Sequence, residues 1–311
     1  MLTKIVSVLA LVFAPLFFSS NLLFGKIVIP HVEPWTLAFI RWSLVGLILL
    51  PFVLPLLHRY RKAIAEQGTL IAIMGFLAMW ICGALVYQAL LTTSATNATL
   101  IYLSSPVIII VIEAAARGRQ IALREAIGII LASAGVVSIL VKGDLQNLFN
   151  LAFSQGDLLM VLAAIAWATY STLLKSHGIA AIPNLLFLCV ASLAAAVLLL
   201  PYALVEIAFI RPAPSDLSVW AGIAGIVLSS SLIAFLAHQQ AVRFAGPAIA
   251  GIFMYLLPGY GVGLAVLVLG ETFETYHLVG ILTILGGVVI ATFPLSLIKR
   301  WRAAGAHQPA E

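Results

Sequence analysis

A small set of aromatic, amide and imidazole side chains stands within otherwise apolar stretches of the chain, and these residues are the candidates for a binding function. They are Asn21, Trp80, Tyr87, Tyr102, Trp167, Tyr170, His238, Gln239 and Tyr255. Aromatic rings can stack on an apolar solute or face its ammonium group, while amide and hydroxyl groups supply hydrogen bonds. The set therefore predicts a substrate-binding cavity for a neutral or zwitterionic solute with an apolar side chain. The alternative is that these rings serve only helix packing or interfacial belts.

The motifs of common catalysts are absent from the sequence. It contains no G-x-x-x-x-G-K-[ST], H-E-x-x-H or G-x-S-x-G pattern. Of the six histidines, only His238 lies well within an apolar segment, so a histidine-rich metal site is not expected. Cys82 and Cys189 stand singly in apolar runs, which is typical of small buried hydrophobic residues. We predict that the protein is not an enzyme and uses no metal or cofactor; an integral-membrane enzyme is the less favoured alternative.

The composition indicates which solvent surrounds the chain. Of its 311 residues, 63% are hydrophobic and 9% charged, with a mean hydropathy of +1.16. A soluble domain carries about 25% charged residues, so water could not solvate this surface and lipid must cover most of it. The basic residues form short clusters and no basic face, which argues against nucleic acid as a partner. We expect a multi-pass protein of the bacterial inner membrane, with the bilayer and a small-molecule substrate as partners, acting as a monomer.

Ten apolar segments are long enough to cross a bilayer as helices, since about 20 helical residues span its hydrocarbon core. The first is interpreted as an uncleaved helix, because it is too long for the apolar part of a signal peptide. The segments are 5–25, 35–57, 69–91, 97–117, 121–141, 157–177, 184–206, 217–241, 247–269 and 276–298.

The distribution of positive charge predicts the orientation of these helices. With the N-terminus in the cytoplasm, twelve of the 16 lysines and arginines fall at cytoplasmic helix ends and four at the outer ends. Cytoplasmic loops of membrane proteins carry the excess of Lys and Arg. Both termini are therefore predicted to be cytoplasmic.

The two halves of the chain resemble each other. At an offset of 152 residues, five matches align, namely Gln88-Ala89 with Gln240-Ala241, Pro106 with Pro258, Gly118 with Gly270, Gly128-Ile129 with Gly280-Ile281, and Gly135 to Val137 with Gly287 to Val289. The predicted organisation is a first five-helix repeat at 1–141, a linker at 142–156, a second repeat at 157–298 and a cytoplasmic tail at 299–311. Because each repeat has an odd number of helices, the second must be inserted upside down relative to the first, as in many secondary transporters.

The turns after the matched glycines carry opposite charges, as inverted repeats require. Gly118 is followed by Arg119 and Arg124, whereas Gly270 is followed by Glu271 and Glu274. The matched prolines, Pro106 and Pro258, each remove a helix hydrogen bond, so we predict that they are hinges for opening and closing.

These residues resemble the EamA-type branch of the drug/metabolite transporter superfamily over essentially the whole chain. The resemblance is carried by an Arg in the second helix, a Pro in the fourth, and the run Gly270-Glu271, Gly280 and Gly286 to Val289 after the ninth helix. Phe18 stands where the family usually has Trp, and Arg119 where it has Glu. The resemblance implies a ten-helix fold that alternates its opening between two faces.

The charged residues within the predicted helices limit the classes of solute that the protein could carry. No Asp or Glu lies near the bilayer centre, which disfavours a cation/proton exchanger, and no deep Lys/Arg cluster suits sugar phosphates. Arg41 lies about two turns inside the second helix; snorkelling to the interface or capping a partner helix is favoured over contact with a substrate carboxylate. Within the resembled family, amino acid exporters fit best, and the aromatic residues favour the YddG-like branch of aromatic amino acid exporters. The alternative is a proton-coupled multidrug exporter.

Overall fold

The structure is a computed structural model that describes residues 2–144, 146, 154–270 and 272–292. Glu271, most of the predicted linker and the predicted tail at 299–311 lie outside the described residues. Within the described part, ten helices are long and apolar enough to cross a membrane. This confirms the prediction of an all-α membrane protein with ten transmembrane helices.

The ten long helices are numbered α1 to α10 in chain order. In the first half they are α1 (Leu2–Val28), α2 (Pro34–Arg59), α3 (Arg61–Gly75, continuing through a π-helical stretch Phe76–Leu85 into Val86–Ala89), α4 (Ala95–Tyr102 and Ser105–Arg117) and α5 (Leu123–Leu140). In the second half they are α6 (Gln155–Leu173), α7 (Asn184–Phe209), α8 (Leu217–Gly225, π-helical Ile226–Ile233 and Ala234–Ala245), α9 (Pro247–Phe253, a 3-10 turn Met254–Leu256 and Leu257–Leu269) and α10 (Thr275–Thr292). A one-turn helix, His177–Ala180, lies between α6 and α7.

Most predicted boundaries agree with the structure to within a few residues, and the start of α3 is the main exception. The helix begins at Arg61 rather than at residue 69, because its first two turns are helical but polar. They carry an exposed i, i+4 ion pair between Lys62 and Glu66. Hydropathy detects only the apolar part of such a helix.

Contacts between helix ends define two faces of the bundle. On the face where α1 begins, called the proximal face, Gln240 near the end of α8 donates to Ser7 at the start of α1 (2.9 Å). On the opposite, distal face, Asp157 at the start of α6 accepts a hydrogen bond from Thr93, just beyond α3. The first helices of the two repeats therefore start on opposite faces, which is the inverted arrangement predicted. Which face is cytoplasmic stays a prediction.

Helices α5 and α10 form a tight pair through matched glycines. A Cβ at Gly128 would lie 2.5 Å from the carbonyl oxygen of Gly287, and one at Gly135 would lie 2.6 Å from that of Gly280. The repeat maps Gly128 onto Gly280 and Gly135 onto Gly287, so the two contacts are symmetry mates. Small residues of this kind let membrane helices approach closely.

Helices α4 and α9 are interrupted at equivalent places. Pro106 and Pro258 each lie in the first turn of the segment that follows the interruption. Backbone N–H groups in a first turn have no partner within the helix, so the N–H that proline lacks costs the helix no hydrogen bond. Both segments then end at a left-handed glycine, Gly118 with φ 63° and Gly270 with φ 69°. The prolines therefore restart broken helices and do not kink continuous ones; hinge motion at these breaks stays a prediction.

Two main apolar clusters hold the bundle together. The larger joins α1, α2, α3, α6, α7 and α8 and also includes Ala250 of α9, and the smaller joins α4, α5, α9 and α10. Candidate binding residues are concentrated in the larger cluster, where α1, α3, α6 and α8 meet.

Candidate functional site

A buried guanidinium organises the distal half of the larger cluster. Arg41 on α2 is 5% exposed. Its Nη1 donates to the hydroxyl of Tyr87 on α3 (3.0 Å), its Nε donates to the hydroxyl of Ser231 on α8 (2.5 Å), and its Nη2 donates to the backbone carbonyl of Ser230 (3.3 Å). The expectation that Arg41 snorkels to the interface is therefore wrong, because neighbouring helices supply acceptors inside the bundle and the side chain points inward. Its bond to the Ser230 carbonyl of α8 agrees with the expected contact to a partner helix.

Asn21 on α1 closes this set of hydrogen bonds. Its side-chain oxygen accepts from the hydroxyl of Tyr87 (3.2 Å) and from that of Ser230 (3.4 Å). These hydrogen bonds together link α1, α2, α3 and α8. We call Asn21, Arg41, Tyr87, Ser230 and Ser231 the distal network.

The π-helical stretch of α8 positions the serines of this network. The Ser231 hydroxyl donates to the carbonyl of Ile226 (2.9 Å), and the single Ser230 hydroxyl proton is shared between that carbonyl (3.0 Å) and the side-chain oxygen of Asn21 (3.4 Å). Because a π-helix pairs residues five apart, it shifts the helix register and frees backbone and side-chain groups for other contacts. Helix α3 has its own π-helical stretch directly before Tyr87. Both stretches therefore adjoin residues of the distal network.

The π-helix in α3 also separates two of the candidate residues, Trp80 and Tyr87. A regular helix would put Trp80 and Tyr87, seven residues apart, on one face. Instead, Trp80 contacts the rings of Trp35, Phe76 and Tyr202 at 4.8, 4.9 and 5.5 Å, in an aromatic group away from Arg41. The wider turn of the π-helix accounts for this rotation.

The centre of the site is aromatic. The ring of Trp167 on α6 is 3% exposed and is surrounded by other rings. Its neighbours, with centroid distances, are His238 at 4.8 Å, Phe18 at 5.4 Å, Tyr170 at 5.5 Å, Phe235 at 5.7 Å and Tyr102 at 6.4 Å. We call Phe18, Tyr102, Trp167 and Phe235 the aromatic layer.

A second polar group lies on the proximal side of this layer. Ser171 and His238 share a hydrogen bond of 3.0 Å between Oγ and Nε2, and Gln239 donates through Nε2 to the hydroxyl of Tyr170 (3.3 Å). The Gln239 Oε1 atom is buried and has no hydrogen-bond partner in the described structure. We call Tyr170, Ser171, His238 and Gln239 the proximal network.

Helix α8 shows how the three parts are stacked. Ser231, Phe235 and Gln239 follow one another at four-residue intervals, which is a rise of about 6 Å per step. The distal network, the aromatic layer and the proximal network are therefore about one helical turn apart. In the described conformation all three are largely closed to solvent.

The inverted repeat relates the two networks. Gln239 follows Tyr87 by 152 residues and Tyr170 follows Asn21 by 149. The bond from Tyr87 to Asn21 and the bond from Gln239 to Tyr170 are therefore equivalent bonds on opposite sides of the aromatic layer. Such pairs are difficult to explain as unrelated packing contacts.

The remaining candidate, Tyr255 on α9, lies elsewhere. It is fully buried in the smaller cluster, and its hydroxyl accepts from Ser133 on α5 (3.2 Å). The structure thus brings together Asn21, Tyr87, Tyr102, Trp167, Tyr170, His238 and Gln239, but not Trp80 or Tyr255.

Sequence reasoning missed several members of the site. Ser229, Ser230 and Ser231 form three consecutive hydroxyls in the middle of a span, and polar residues at that depth are functional candidates by default. That signal was available in the sequence. Phe235 could not be distinguished from ordinary apolar residues of the same helix.

The chemistry of the site is that of binding. Among the described residues, no group of three or more His, Cys, Asp or Glu side chains is placed to hold a metal ion. The side chains gathered here offer hydroxyl, amide, imidazole, guanidinium and aromatic contacts, which suit a small organic solute.

Comparison with known proteins relates both halves of the chain to one family. Residues 5–141 and 154–293 each match the family described as "EamA-like transporter family". An "Uncharacterized transporter" of Archaeoglobus fulgidus is 25% identical over 91% of this chain and 96% of its own length. The "Uncharacterized transporter YetK" of Bacillus subtilis is 23% identical over 87% of this chain and 82% of its own length.

A solved structure described only as the crystal structure of a protein has the same fold. It aligns with a TM-score of 0.76 at 20% identity, covering 95% of this chain and 98% of the other. At this identity the likeness supports the architecture alone.

Proposed function

The chain belongs to the EamA-like transporter family, and from this premise we propose that it exports amino acids or similar small metabolites by alternating access. As a multi-pass membrane transporter, it acts on a small molecule and carries out no chemical conversion. The proposed cargo is a neutral or zwitterionic solute with an apolar side chain, and aromatic amino acids are the leading members of that class.

One observation carries the proposal, namely that two equivalent polar networks lie on opposite sides of a single aromatic layer. An inverted repeat generates two half-sites that face opposite sides of the membrane, and rocking of the repeats exposes them in turn. The Tyr87–Asn21 and Gln239–Tyr170 bonds have this relationship. The aromatic layer between them supplies the surface on which an apolar side chain rests.

The interruptions in α4 and α9 give the bundle places to bend. Pro106 and Pro258 restart these helices at equivalent positions, so turn and 3-10 hydrogen bonds join the halves of each helix in place of a regular α-helical ladder. By contrast, the close Gly128–Gly287 and Gly135–Gly280 contacts hold α5 and α10 as one rigid pair. We propose that the breaks move and that the glycine pair stays intact.

The charges of the spans favour this cargo over a cationic drug. The acidic side chains described within the spans form ion pairs or hydrogen bonds near helix ends. Glu113 forms an ion pair with Arg117 and Glu125 with Arg119, and Glu206 accepts a hydrogen bond from the backbone of the first turn of α2. A cation/proton exchanger built on a midplane carboxylate has no such group here among the described residues. Among the described charged side chains, Arg41 alone is both buried and about two turns from a helix end. Its positive charge would repel a cation.

Transport by the purified protein in liposomes tests the proposal. Vesicles loaded with unlabelled L-phenylalanine should accumulate labelled L-phenylalanine by counterflow, and other neutral amino acids should compete. Trp167→Ala, which removes the centre of the aromatic layer, should lower this flux about ten-fold, a change equal to ~1.4 kcal/mol. Trp220→Ala is the matched control, because Trp220 is partly exposed and bonds to Pro214 outside the site.

The outcomes separate the alternatives. If no amino acid in a panel of labelled amino acids accumulates, the assignment of amino acids as cargo is wrong. Accumulation of a cationic dye driven by a pH gradient, without competition by amino acids, would instead support a proton-coupled multidrug exporter.

A further inference from the structure

The distal network contains a positive charge that has no acidic partner among the described residues. Arg41 is 5% exposed, and its three hydrogen-bond acceptors are a phenol, a hydroxyl and a backbone carbonyl. The ion pairs found among the described residues do not include it. The face of Trp42 also lies beside it, 4.8 Å from the guanidinium carbon to the ring centroid, and this neighbour too is uncharged. A charge held by neutral groups inside a membrane protein is costly.

The second repeat provides an internal control for this position. Helices α2 and α7 each have 26 residues and start 150 positions apart, at Pro34 and Asn184. The residue of α7 equivalent to Arg41 is therefore Ala191, which is fully buried. Because the same place in the fold is filled by alanine, packing of this helix does not require an arginine.

The guanidinium also has unused bonding capacity. It has five N–H groups in a planar fork, and three of them are engaged by described residues. The two remaining N–H groups can bind the two oxygens of a carboxylate, which is the geometry for which arginine is suited. A phosphate would call for further cations, and the described part of the network offers none.

We propose that Arg41 is the substrate-recognition residue of this transporter and that it binds the carboxylate of the cargo. The inference rests on the transport function proposed above and narrows it to solutes that bear a carboxylate. The apolar part of the solute then contacts the aromatic layer one turn away, where Phe18 on α1 and Phe235 on α8 flank Trp167. The hydroxyl oxygen of Ser230, beside Arg41, is placed to accept a hydrogen bond from the ammonium group of an amino acid, and the Asn21 oxygen can accept another when it releases Ser230.

Binding of three related probes tests this assignment without depending on transport. L-phenylalanine has a carboxylate and an ammonium group, 3-phenylpropionate has only the carboxylate, and phenethylamine has only the ammonium group. Each probe is added at millimolar concentration to purified wild-type protein, and the shift in thermal unfolding temperature is measured. L-phenylalanine and 3-phenylpropionate should stabilise the protein, and phenethylamine should not.

Variants locate the effect at Arg41. Arg41→Gln should weaken the binding of both carboxylates about ten-fold or more, since hydrogen bonds to charged groups are the strong ones. Arg41→Lys keeps the charge but loses the fork, so it should bind with intermediate affinity. Arg211→Gln is the matched control, because Arg211 lies on the distal face, half exposed and paired with Glu33, and binding should not change.

Two results would overturn the assignment. One is stabilisation of wild-type protein by phenethylamine as strong as that by 3-phenylpropionate, a comparison that needs no variant to fold. The other is unchanged carboxylate binding by Arg41→Gln. Carboxylate binding that requires Arg41, in a protein that moves no amino acid in liposomes, would instead support this site while contradicting the proposed export of amino acids.

Discussion

The distal and proximal networks occupy equivalent places in the two repeats, yet they differ in charge and in which polar groups remain free, N–H donors on the distal side and an amide oxygen on the proximal side. In the distal network Arg41 is surrounded by acceptors from Tyr87, Ser230 and Ser231. The proximal network has Ala191 in place of that arginine, and its Gln239 keeps a buried oxygen without a partner in the described structure. The duplicated backbone therefore fixes where a half-site lies, while the side chains decide what it binds.

The two repeats also differ at the positions of the serines that contact Arg41. Ser230 and Ser231 on α8 correspond, 152 residues earlier, to Ala78 and Met79 on α3. The first repeat thus gives the proximal side no hydroxyls equivalent to those that hold Arg41. We expect the distal network to tolerate a charge that the proximal network cannot.

The largest effect is expected from moving the charge to the proximal side. Gln239→Arg would bury a guanidinium among Tyr170, Ser171 and His238, without counterparts of the two serine contacts that Arg41 has. A charged residue at the centre of a membrane helix costs about 3 kcal/mol, so folded yield and thermal stability in detergent should fall steeply. Gln239→Met, which is similar in size and neutral, is the control. Equal stability of the two variants would contradict the claim that the proximal network cannot tolerate a buried charge.

A smaller effect should distinguish two tyrosine hydroxyls. Tyr87→Phe removes the acceptor of a charged donor, whereas Tyr170→Phe removes the acceptor of a neutral amide. Hydrogen bonds to charged groups contribute about 1.5–3 kcal/mol and neutral ones about 0.5–1.5 kcal/mol. Thermal unfolding of the two variants should therefore rank Tyr87→Phe as the more destabilised. The opposite ranking would mean that Arg41 does not depend on Tyr87.

The smallest effect concerns Ser20 and its repeat equivalent Thr169. Both hydroxyls bond to a carbonyl of their own helix, Ser20 to that of Phe17 (2.6 Å) and Thr169 to that of Ile165 (2.8 Å), but the Ser20 hydroxyl also bonds to that of Ser229 across α1 and α8 (2.6 Å). Ser20→Ala should cost roughly 0.5–1 kcal/mol of stability, and Thr169→Ala close to nothing. If Thr169→Ala lowers the stability more than Ser20→Ala in the same unfolding assay, the hydrogen bond between Ser20 and Ser229 does not contribute measurably to stability.

Much of the architecture could be predicted from the sequence because lipid imposes simple requirements on length and polarity. Apolar segments of about 20 residues locate the ten helices, and the matched glycines and prolines reveal the inverted repeat. The pairing of Gly128 with Gly287 follows directly from that repeat once the two helices are known to touch. Family membership confirms the transporter prediction, while aromatic amino acids as cargo stay a prediction.

The site was harder to predict because its geometry depends on local departures from a regular helix. A π-helical stretch in α3 separates Trp80 from Tyr87, and hydropathy carries no signal for it. Tyr255 was a candidate because it is a tyrosine within an apolar segment, but it lies in the 3-10 turn of α9 and its hydroxyl accepts from Ser133 on α5. Arg41 was expected at the interface because the acceptors that draw it inward come from helices distant in sequence.

The central claim is that the two networks open to opposite faces of the membrane. It is tested by thiol labelling of Ser230→Cys and Ser171→Cys, each in a protein whose Cys82 and Cys189 are replaced by alanine. In sealed vesicles of known orientation, a membrane-impermeant maleimide should reach Ser230→Cys only from the distal face and Ser171→Cys only from the proximal face, and L-phenylalanine should change the two labelling rates in opposite directions. Labelling of both cysteines from one face, or of neither from any face, would contradict the account.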